Sequence, residues 1–247
     1  MEERRMEKGF VDLHTHILPG VDDGARNLEE TIRMLRIAYQ EGIRTVIATP
    51  HFVAGAKNVP VDRLRLLCDQ VQQEAQKIDP NMRILLGNEI YYSESVLEAL
   101  QLGTALSLAG SRYVLIEFYP KETFKNIFQG LGGLVRAGYL PILAHMERYQ
   151  CLYKKEDSVI ELINLGCYLQ MNSNSLIGSI LDTEAKYHRK LVAQGLIHFL
   201  GSDCHDDKER IPSMLKAKLQ LQKKCEEDLL NRIFYEHPFK VLENTYI

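Results

Sequence analysis

The chain has 247 residues, of which 45% are hydrophobic and 26% charged, and its 30 basic and 33 acidic side chains give a net charge of −3. This composition is typical of globular proteins and excludes an intrinsically disordered chain. A near-neutral charge without a run of Lys or Arg argues against binding to nucleic acid or to an anionic membrane. Because single α/β barrels commonly have about 250 residues, we expect one domain over residues 1–247.

The N-terminal residues and the cysteines indicate the compartment. The sequence begins MEERRMEKGF, which is charged and lacks the apolar run of a signal peptide or anchor. Residues 1–8 are expected to form a flexible tail. The longest uncharged stretch, residues 162–181, is too polar to cross a bilayer. Five cysteines without a CxxC motif argue against a disulfide framework and a zinc ribbon. A cytoplasmic protein without membrane insertion is the expectation.

Short apolar runs rich in Val, Ile, Leu and Tyr recur along the chain. Each has about six residues and is nearly continuous in hydrophobicity, as expected for parallel strands that are buried on both faces. The predicted strands are Phe10–His16, Ile43–Thr49, Ile84–Ile90, Tyr113–Phe118, Leu140–His145, Cys167–Asn172 and Ile197–Asp203.

Segments with a helical period separate these runs. In the first of them, Ile32, Leu35 and Tyr39 share one face after a capping signal formed by Asn27 and Glu30. The predicted helices are Leu28–Gln40, Leu64–Ile78, Ser93–Leu102, Thr123–Ala137, Glu156–Leu165, Asp182–Gln194 and Ser213–Glu236.

Seven strand-then-helix units without a break in composition favour an α/β fold on a parallel sheet. Such a sheet is either open or closed into a barrel. The polar residues lie at the ends of all the strands instead of at one switch point, and this distribution favours the barrel.

The carboxyl ends of the predicted strands carry most of the residues with metal-binding chemistry. Three other histidines, His188, His198 and His237, lie elsewhere. Catalytic groups of β/α barrels come from this rim, and a buried carboxylate there costs several kcal/mol unless it is paired or bound to a metal. The strand ends deliver, in chain order, His14, His16, His51, Glu89, Glu117, His145, Asn172, Asp203 and His205.

Two pairs of residues in this set have a spacing that lets both side chains bind the same metal ion. His14 and His16 are two residues apart, and so are Asp203 and His205. The two-residue period of a strand puts both members of a pair on one side, about 6–7 Å apart along the chain. Each pair can therefore close on a single cation.

The strings VDLHTHILPGVDDGARN, TPH, GNEIYYS, RYVLIEF, AHMERY and SDCH, in this order and spacing, resemble the polymerase and histidinol phosphatase (PHP) superfamily. Within it they are similar to the bacterial manganese-dependent tyrosine phosphatases of capsule and exopolysaccharide operons. The DDG string, and Glu117 where many histidinol phosphatases have His, favour this branch. The resemblance covers Val11 to Arg210 and implies a distorted (βα)7 barrel, in agreement with the seven predicted strands.

The resemblance also implies a centre of three divalent metal ions. Mixed imidazole and carboxylate ligands suit Mn²⁺, with Fe²⁺ or Zn²⁺ as alternatives, better than Mg²⁺ or Ca²⁺. Three such ions outweigh the four carboxylates and leave positive charge for a phosphomonoester dianion. The implied ligands are His14, His16, Glu89 and Asp203 for the first ion, Glu89, Glu117 and His145 for the second, and Asp23, His51 and His205 for the third.

Two arginines complete the predicted site. Arg148 follows His145 by three residues and Arg210 follows His205 by five, so both lie in rim loops. A guanidinium can bind two phosphoryl oxygens at once, and in the resembling phosphatases these positions contact phosphate. The implied reaction is in-line attack on the phosphorus of phosphotyrosine by a metal-bridging hydroxide. The implied substrate is the tail of a bacterial tyrosine kinase that controls polysaccharide synthesis and export.

Three alternatives stay open. Cys204 and Arg210 match the Cys-x5-Arg spacing of thiol phosphatases, although the acids Asp206, Asp207 and Glu209 between them would repel a phosphate. A second alternative keeps the metals but takes a small phosphomonoester such as histidinol phosphate. A third is a metal-bound regulatory module without turnover.

Several aromatic residues lie beside the predicted ligands in the sequence. They either contact the ring of a phosphotyrosine or pack in the core, which is the commoner fate of such residues. These residues are Phe52, Tyr91, Tyr92, Phe118 and Tyr119.

Overall fold

The computed structural model describes residues 9–179 and 181–247, so the predicted tail at residues 1–8 lies outside the described residues. Within them the strands are β1 (Phe10–Thr15), β2 (Ile43–Ala48), β3 (His51–Val53), β4 (Arg83–Leu86), β5 (Glu89–Tyr91), β6 (Tyr113–Glu117), β7 (Leu140–Leu143), β8 (Tyr168–Asn172) and β9 (Phe199–Gly201). The α-helices are α1 (Leu28–Gln40), α2 (Val61–Ile78), α3 (Val96–Gln101), α4 (Phe124–Arg136), α5 (Glu156–Asn164), α6 (Thr183–Ala193), α7 (Met214–Leu221), α8 (Glu227–Asn231) and α9 (His237–Leu242).

The strands form two parallel sheets, in the orders β1-β2-β4 and β3-β5-β6-β7-β8-β9. The first strand also meets the segment after the last one. Thr15 forms a parallel bridge with Cys204, and the backbone N–H of Asp203 donates to the carbonyl of His14 at 2.9 Å. The predicted α/β fold with parallel strands is confirmed, and the carboxyl ends of its strands lie along one edge.

The described residues form nine strands instead of the seven predicted, because one predicted strand is divided and one strand is additional. Ile84–Ile90 is two strands, because the side chain of Asn88 leaves the sheet and bonds to the carbonyl of Pro50 at 2.8 Å and the N–H of Leu106 at 2.9 Å. After β2, Pro50 has no N–H to donate, and the chain starts the short strand β3 at His51. The chain thus passes from the first sheet to the second at both places.

The predicted helices are present, with differences at their ends. Asn27 caps α1 by accepting the N–H of Glu30 at 3.0 Å, but the Glu30 carboxylate binds the N–H of Arg26 and not that of Asn27. The predicted helix Ser93–Leu102 is shortened to α3. Ser213–Glu236 is interrupted between α7 and α8, where residues 222–224 are Gln, Lys and Lys and offer no apolar contact to hold a continuous helix on the core.

Two apolar clusters cover the opposite faces of the strands. The larger cluster joins the sheets to the helices and includes Ile116, whereas the smaller one includes the adjacent Leu115 and Val241 of α9. This alternation follows the two-residue period of a buried strand. No helix in the described part of the chain has the length and apolar character that crossing a membrane requires.

A register irregularity in β1 lies beside its histidines. The pairing of β1 with β2 shifts between Asp12 and Thr15. Leu13 packs in the smaller cluster, and Nδ1 of the next residue, His14, is 3.2 Å from Oε1 of Gln170. Irregularities of this kind often redirect side chains beside functional sites.

Candidate metal centre

The carboxyl edge of the sheets brings together all nine residues that the sequence analysis predicts as metal ligands. Most of them lie at or after the carboxyl end of a strand, but His51 and Glu89 are the first residues of the short strands β3 and β5, where the sequence analysis predicted carboxyl ends. The strand ends contribute His14, His16, His51, Glu89, Glu117, His145, Asp203 and His205, and the loop between β1 and α1 contributes Asp23. They form three groups, which we call the first, second and third clusters in the order of the predicted ions.

The first cluster is buried. Its members, His14, His16, Glu89 and Asp203, each offer a ligand atom, and these atoms lie within 4.8 Å of one another. The Nε2 atom of His14 is 3.2 Å from the Glu89 carboxylate and 3.4 Å from that of Asp203, and it is 3.4 Å from Nε2 of His16. Two imidazoles and two carboxylates therefore converge on one point.

The second cluster combines Glu89, Glu117 and His145. His145 Nε2 lies 2.8 Å from Oε1 of Glu89 and 3.4 Å from Oε1 of Glu117. His51 also belongs to this region, since its Nδ1 is 3.2 Å from Glu89 and it can share an ion with Glu89 and Glu117. Glu89 is thus in reach of the rings of four histidines and lies between two clusters.

The third cluster is the most open of the three. Oδ1 of Asp23 is 3.3 Å from Nε2 of His51 and 3.5 Å from Nε2 of His205, and the Asp23 side chain is 65% exposed. His16 joins this cluster as well, because its ring lies 4.0 Å from that of His205. A cavity of about 310 Å³ lined by Asp23 and His205 opens on this side of the site.

Two of these residues have left-handed backbone conformations. The φ angles of His145 and Asp203 are +32° and +52°, which are uncommon for residues other than glycine. Each residue lies two positions after the last residue of a strand, which is β7 for His145 and β9 for Asp203. Strain of this kind costs about 1–3 kcal/mol per residue and is concentrated at functional sites.

The ionised forms of the cluster residues stabilise one another. Burial alone would lower the pKa of His16 and His145, but hydrogen bonds with carboxylates raise the pKa of His16 to about 10 and that of His145 to about 9. Burial would raise the pKa of Glu89 and Asp203, but the neighbouring cationic groups, His14 foremost, together outweigh this effect and lower the pKa of both. The carboxylates are therefore ionised and demand buried cations.

This donor set fits divalent metal ions. The clusters offer imidazole nitrogens and carboxylate oxygens together, and the first cluster is closed off from solvent. In the metal-free protein the protons on His16 and His145 supply the positive charge that bound cations would supply. Mixed ligands of this type are those of Mn²⁺, Fe²⁺ and Zn²⁺.

Both predicted arginines reach the site. Nη2 of Arg148 lies 2.5 Å from Oδ2 of Asp203, and Nη2 of Arg210 lies 2.8 Å from the same oxygen. Each arginine side chain is 40% exposed. A guanidinium has five N–H donors, so both groups keep donors for a further anion at the edge of the first cluster.

The sequence analysis missed Asp22, which orients two of the histidines. Its carboxylate accepts from Nδ1 of His16 at 2.8 Å and from the backbone N–H of His51 at 3.2 Å, and it also accepts from the N–H of Gly24. Burial would raise the pKa of Asp22, yet the bond from His16 lowers it. The DDG string was the available signal, because two adjacent acids after the histidine pair allow two different roles.

Cys204 and the aromatic residues have mostly structural surroundings. The side chain of Cys204 is buried in the larger apolar cluster, and burial raises the pKa of its thiol well above the usual range. Phe52 and Phe118 are also buried in that cluster, and the ring of Tyr92 stacks on Phe118 at 4.6 Å. Among the five aromatic candidates, Tyr91 and Tyr119 are the ones that stay accessible beside Glu117.

Comparison with known proteins gives matches over nearly the whole chain. The sequence pattern of the CpsB/CapC family, described as capsular polysaccharide synthesis, matches residues 10–243. The tyrosine-protein phosphatase CpsB of Streptococcus pneumoniae is 33% identical over 243 residues, which are 96% of this chain and 100% of that protein. The tyrosine-protein phosphatase YwqE of Bacillus subtilis (strain 168) is 34% identical over 237 residues, covering 96% and 90% of the two chains.

Solved structures agree with the sequence matches. A chain from the crystal structures of YwqE from B. subtilis and CpsB from S. pneumoniae, described as metal-dependent tyrosine phosphatases, superposes with a TM-score of 0.87 and 33% identity, with 96% of both chains covered. The phosphotriesterase homology protein of Escherichia coli superposes with a TM-score of 0.60 at 13% identity, covering 95% and 99% of the chains. At that identity the likeness concerns the fold alone.

Proposed function

Since the chain belongs to the CpsB/CapC family of capsular polysaccharide synthesis, we propose that it is a metal-dependent protein-tyrosine phosphatase. The single observation that carries this proposal is the convergence of His14, His16, Glu89 and Asp203 on one buried point with two arginines at its edge. Buried ionised carboxylates demand cations, and the arginines provide donors for a phosphate.

The proposed cofactor is a set of three divalent ions, with Mn²⁺ preferred to Fe²⁺ or Zn²⁺. Three clusters of ligand atoms support this number. The first ion is assigned to His14, His16, Glu89 and Asp203, the second to Glu89, Glu117 and His145, and the third to Asp23, His51 and His205. His51 faces both Glu89 and Asp23, so it is the ligand whose assignment between the second and third ions most needs a test.

Each part of the chain has a separate task in the proposed hydrolysis. When bound, the ions would lower the pKa of water and polarise the phosphoryl group. Arg148 and Arg210 bind the phosphoryl oxygens and offset the negative charge that develops in the transition state. The exposed position of Asp23 and the adjacent cavity leave room for a phosphorylated side chain to enter from the third cluster. Tyr91 and Tyr119 are the proposed contacts for the substrate ring.

We further propose that residues 1–247 form one domain, a distorted (βα)7 barrel of the PHP type. A hydrogen bond between the two sheets supports closure, since the N–H of Glu89 in β5 donates to the carbonyl of Thr49, the residue after β2. The bridge between Thr15 and Cys204 supports it at the other junction. A cytoplasmic location and a tyrosine kinase tail as the natural substrate complete the proposal.

The test compares substrates on one metal-loaded preparation. Chelation should abolish turnover of a phosphotyrosine peptide, and Mn²⁺ should restore it more fully than Mg²⁺. A matched phosphoserine peptide should be hydrolysed at least tenfold less efficiently in kcat/KM, because an alkoxide is a poorer leaving group than a phenolate, whose conjugate acid has a pKa of about 10. Full activity in verified metal-free protein would contradict the metal dependence. Preference for histidinol phosphate would instead indicate a small-molecule phosphatase.

A further inference from the structure

A buried glutamine lies behind the proposed metal centre. Gln170 is in the middle of β8, a strand from which neither the sequence analysis nor the proposed function takes a ligand, and its side chain is fully buried. Its amide lies between three residues of the site. Oε1 is 2.7 Å from the backbone nitrogen of His145 and 3.2 Å from Nδ1 of His14, and Nε2 is 2.9 Å from Oδ1 of Asn172.

The orientation of this amide follows from one unambiguous donor. A side-chain amide can in principle be turned by 180°, which exchanges its oxygen and nitrogen. The backbone N–H of His145 can only donate, so the atom 2.7 Å away from it must be the oxygen of Gln170. The NH₂ group then points the other way, towards Asn172.

This orientation determines the tautomer of His14. Its Nδ1 faces the same oxygen of Gln170, which can only accept, so Nδ1 carries the proton. In a neutral imidazole the other nitrogen then has a free lone pair. That nitrogen is Nε2, the atom that lies between the carboxylates of Glu89 and Asp203 in the first cluster.

The other end of the amide orients a second ligand. Because Asn172 accepts from Gln170 through Oδ1, its NH₂ group is free to donate, and Nδ2 lies 2.8 Å from Oδ2 of Asp203. Oδ1 of Asp203 is the oxygen that faces His14. A chain of two neutral amides therefore connects two ligands of the first cluster and also fixes the backbone of His145, which is in a left-handed conformation.

We propose that Gln170 is a positioning residue that sets the tautomer of His14 and, through Asn172, the orientation of Asp203. The expected consequence, which is tight metal binding, rests on the proposed function, whereas the geometry around Gln170 does not. An amide suits the position better than a carboxylate, because one end must accept from His14 and His145 while the other must donate to Asn172. Removal of such an outer partner typically weakens metal binding 10–100-fold.

The test uses two substitutions and a matched control. Gln170→Met keeps the volume and removes all three hydrogen bonds, whereas Gln170→Glu keeps the acceptors for His14 and His145. Gln72→Met is the control, because Gln72 bonds to the N–H of Ile84 and the carbonyl of Met82 at 2.7 and 2.9 Å, on the outside of β4 and away from every predicted ligand. The readouts are the Kd for Mn²⁺ by calorimetry and the side-chain ¹⁵N spectrum of His14 in metal-free protein, which distinguishes a proton on Nδ1 from one on Nε2.

We expect Gln170→Met to raise the Kd for Mn²⁺ at least tenfold and to mix the two tautomers of His14. Gln170→Glu should retain the Nδ1–H tautomer, and Gln72→Met should change neither readout. A neutral wild-type His14 with its proton on Nε2 instead of Nδ1 would overturn the inference, and so would wild-type Mn²⁺ affinity in Gln170→Met or an equal loss in Gln72→Met. If the wild-type protein bound no Mn²⁺ the proposed function would fail, yet the spectrum of the metal-free protein would still decide the role of Gln170.

Discussion

Metal binding should expel protons from the site. His16 and His145 are buried against Glu89, and these contacts raise their pKa values from 6.5 to about 10 and about 9 after the opposing effect of burial. At neutral pH both rings of the metal-free protein therefore carry an extra proton. A ligating nitrogen must lose its proton, so loading with Mn²⁺ displaces both.

The size of the effect follows from these pKa values. Near pH 7 we expect about two protons to be released per protein molecule, and each one makes the apparent metal affinity rise about tenfold per pH unit. Because the two rings are assigned to different ions, the affinity for the second ion should rise about tenfold per unit up to about pH 9, where His145 loses its proton, and the affinity for the first ion about tenfold per unit up to about pH 10.

The same groups predict how the stability of the metal-free protein depends on pH. Both pKa values lie above 6.5, so the ion pairs stabilise the fold fully below that pH and lose this contribution as the pH rises through about 9 and about 10. The Tm of chelated protein should fall over that interval. The metal-loaded protein should not show this fall, because its cations do not titrate.

Calorimetry in buffers of different protonation enthalpy counts the released protons. Glu89→Gln is the informative variant, because Glu89 is a partner of both rings and its loss should lower both pKa values and reduce the proton release. Metal binding at neutral pH without proton release, or with an affinity that does not change with pH, would refute the assignment of protons to these rings.

Three substitutions test other parts of the site. Cys204→Ser should leave kcat within a few fold, since the thiol is buried in the apolar cluster and takes no part, and loss of activity with metals retained would favour a cysteine mechanism. Arg210→Ala should lower kcat/KM about 10²-fold or more in steady-state assays, and an unchanged value would remove Arg210 from the reaction. Gly201→Ala should lower the free energy of unfolding in denaturant by about 1–3 kcal/mol and weaken Mn²⁺ binding, because the added Cβ would lie 2.7 Å from Cβ of His14. Wild-type stability of this variant would show that the strand can shift freely.

The sequence was most informative where local periodicity and chemistry coincide. His14 and His16 have the spacing that puts two side chains on one side of a strand, and their rings lie 5.4 Å apart in the structure. Apolar runs ending in His or Glu located the carboxyl edge, which is why the predicted ligands are found together there. The parallel direction of the strands followed from the rule for α/β units.

The parts that could not be predicted depend on contacts between distant residues. Nothing local marks Asn88 as the residue that leaves its strand, because its partners Pro50 and Leu106 are 38 and 18 residues away. The role of Gln170 depends on His14, which is 156 residues distant. A single sequence shows such buried polar residues only as interruptions of an apolar run.

The bridge between Thr15 and Cys204 has a consequence for the order of folding. During synthesis β1 can pair with β2 as soon as both have left the ribosome, but its other neighbour is made almost 190 residues later. The first and third clusters both need residues from the two sides of this junction, so a nascent chain has neither cluster until His205 is exposed. A metal ion that binds there links β1, the first strand to be synthesised, to the segment after β9, the last strand. It can therefore stabilise only a chain whose folding is nearly complete.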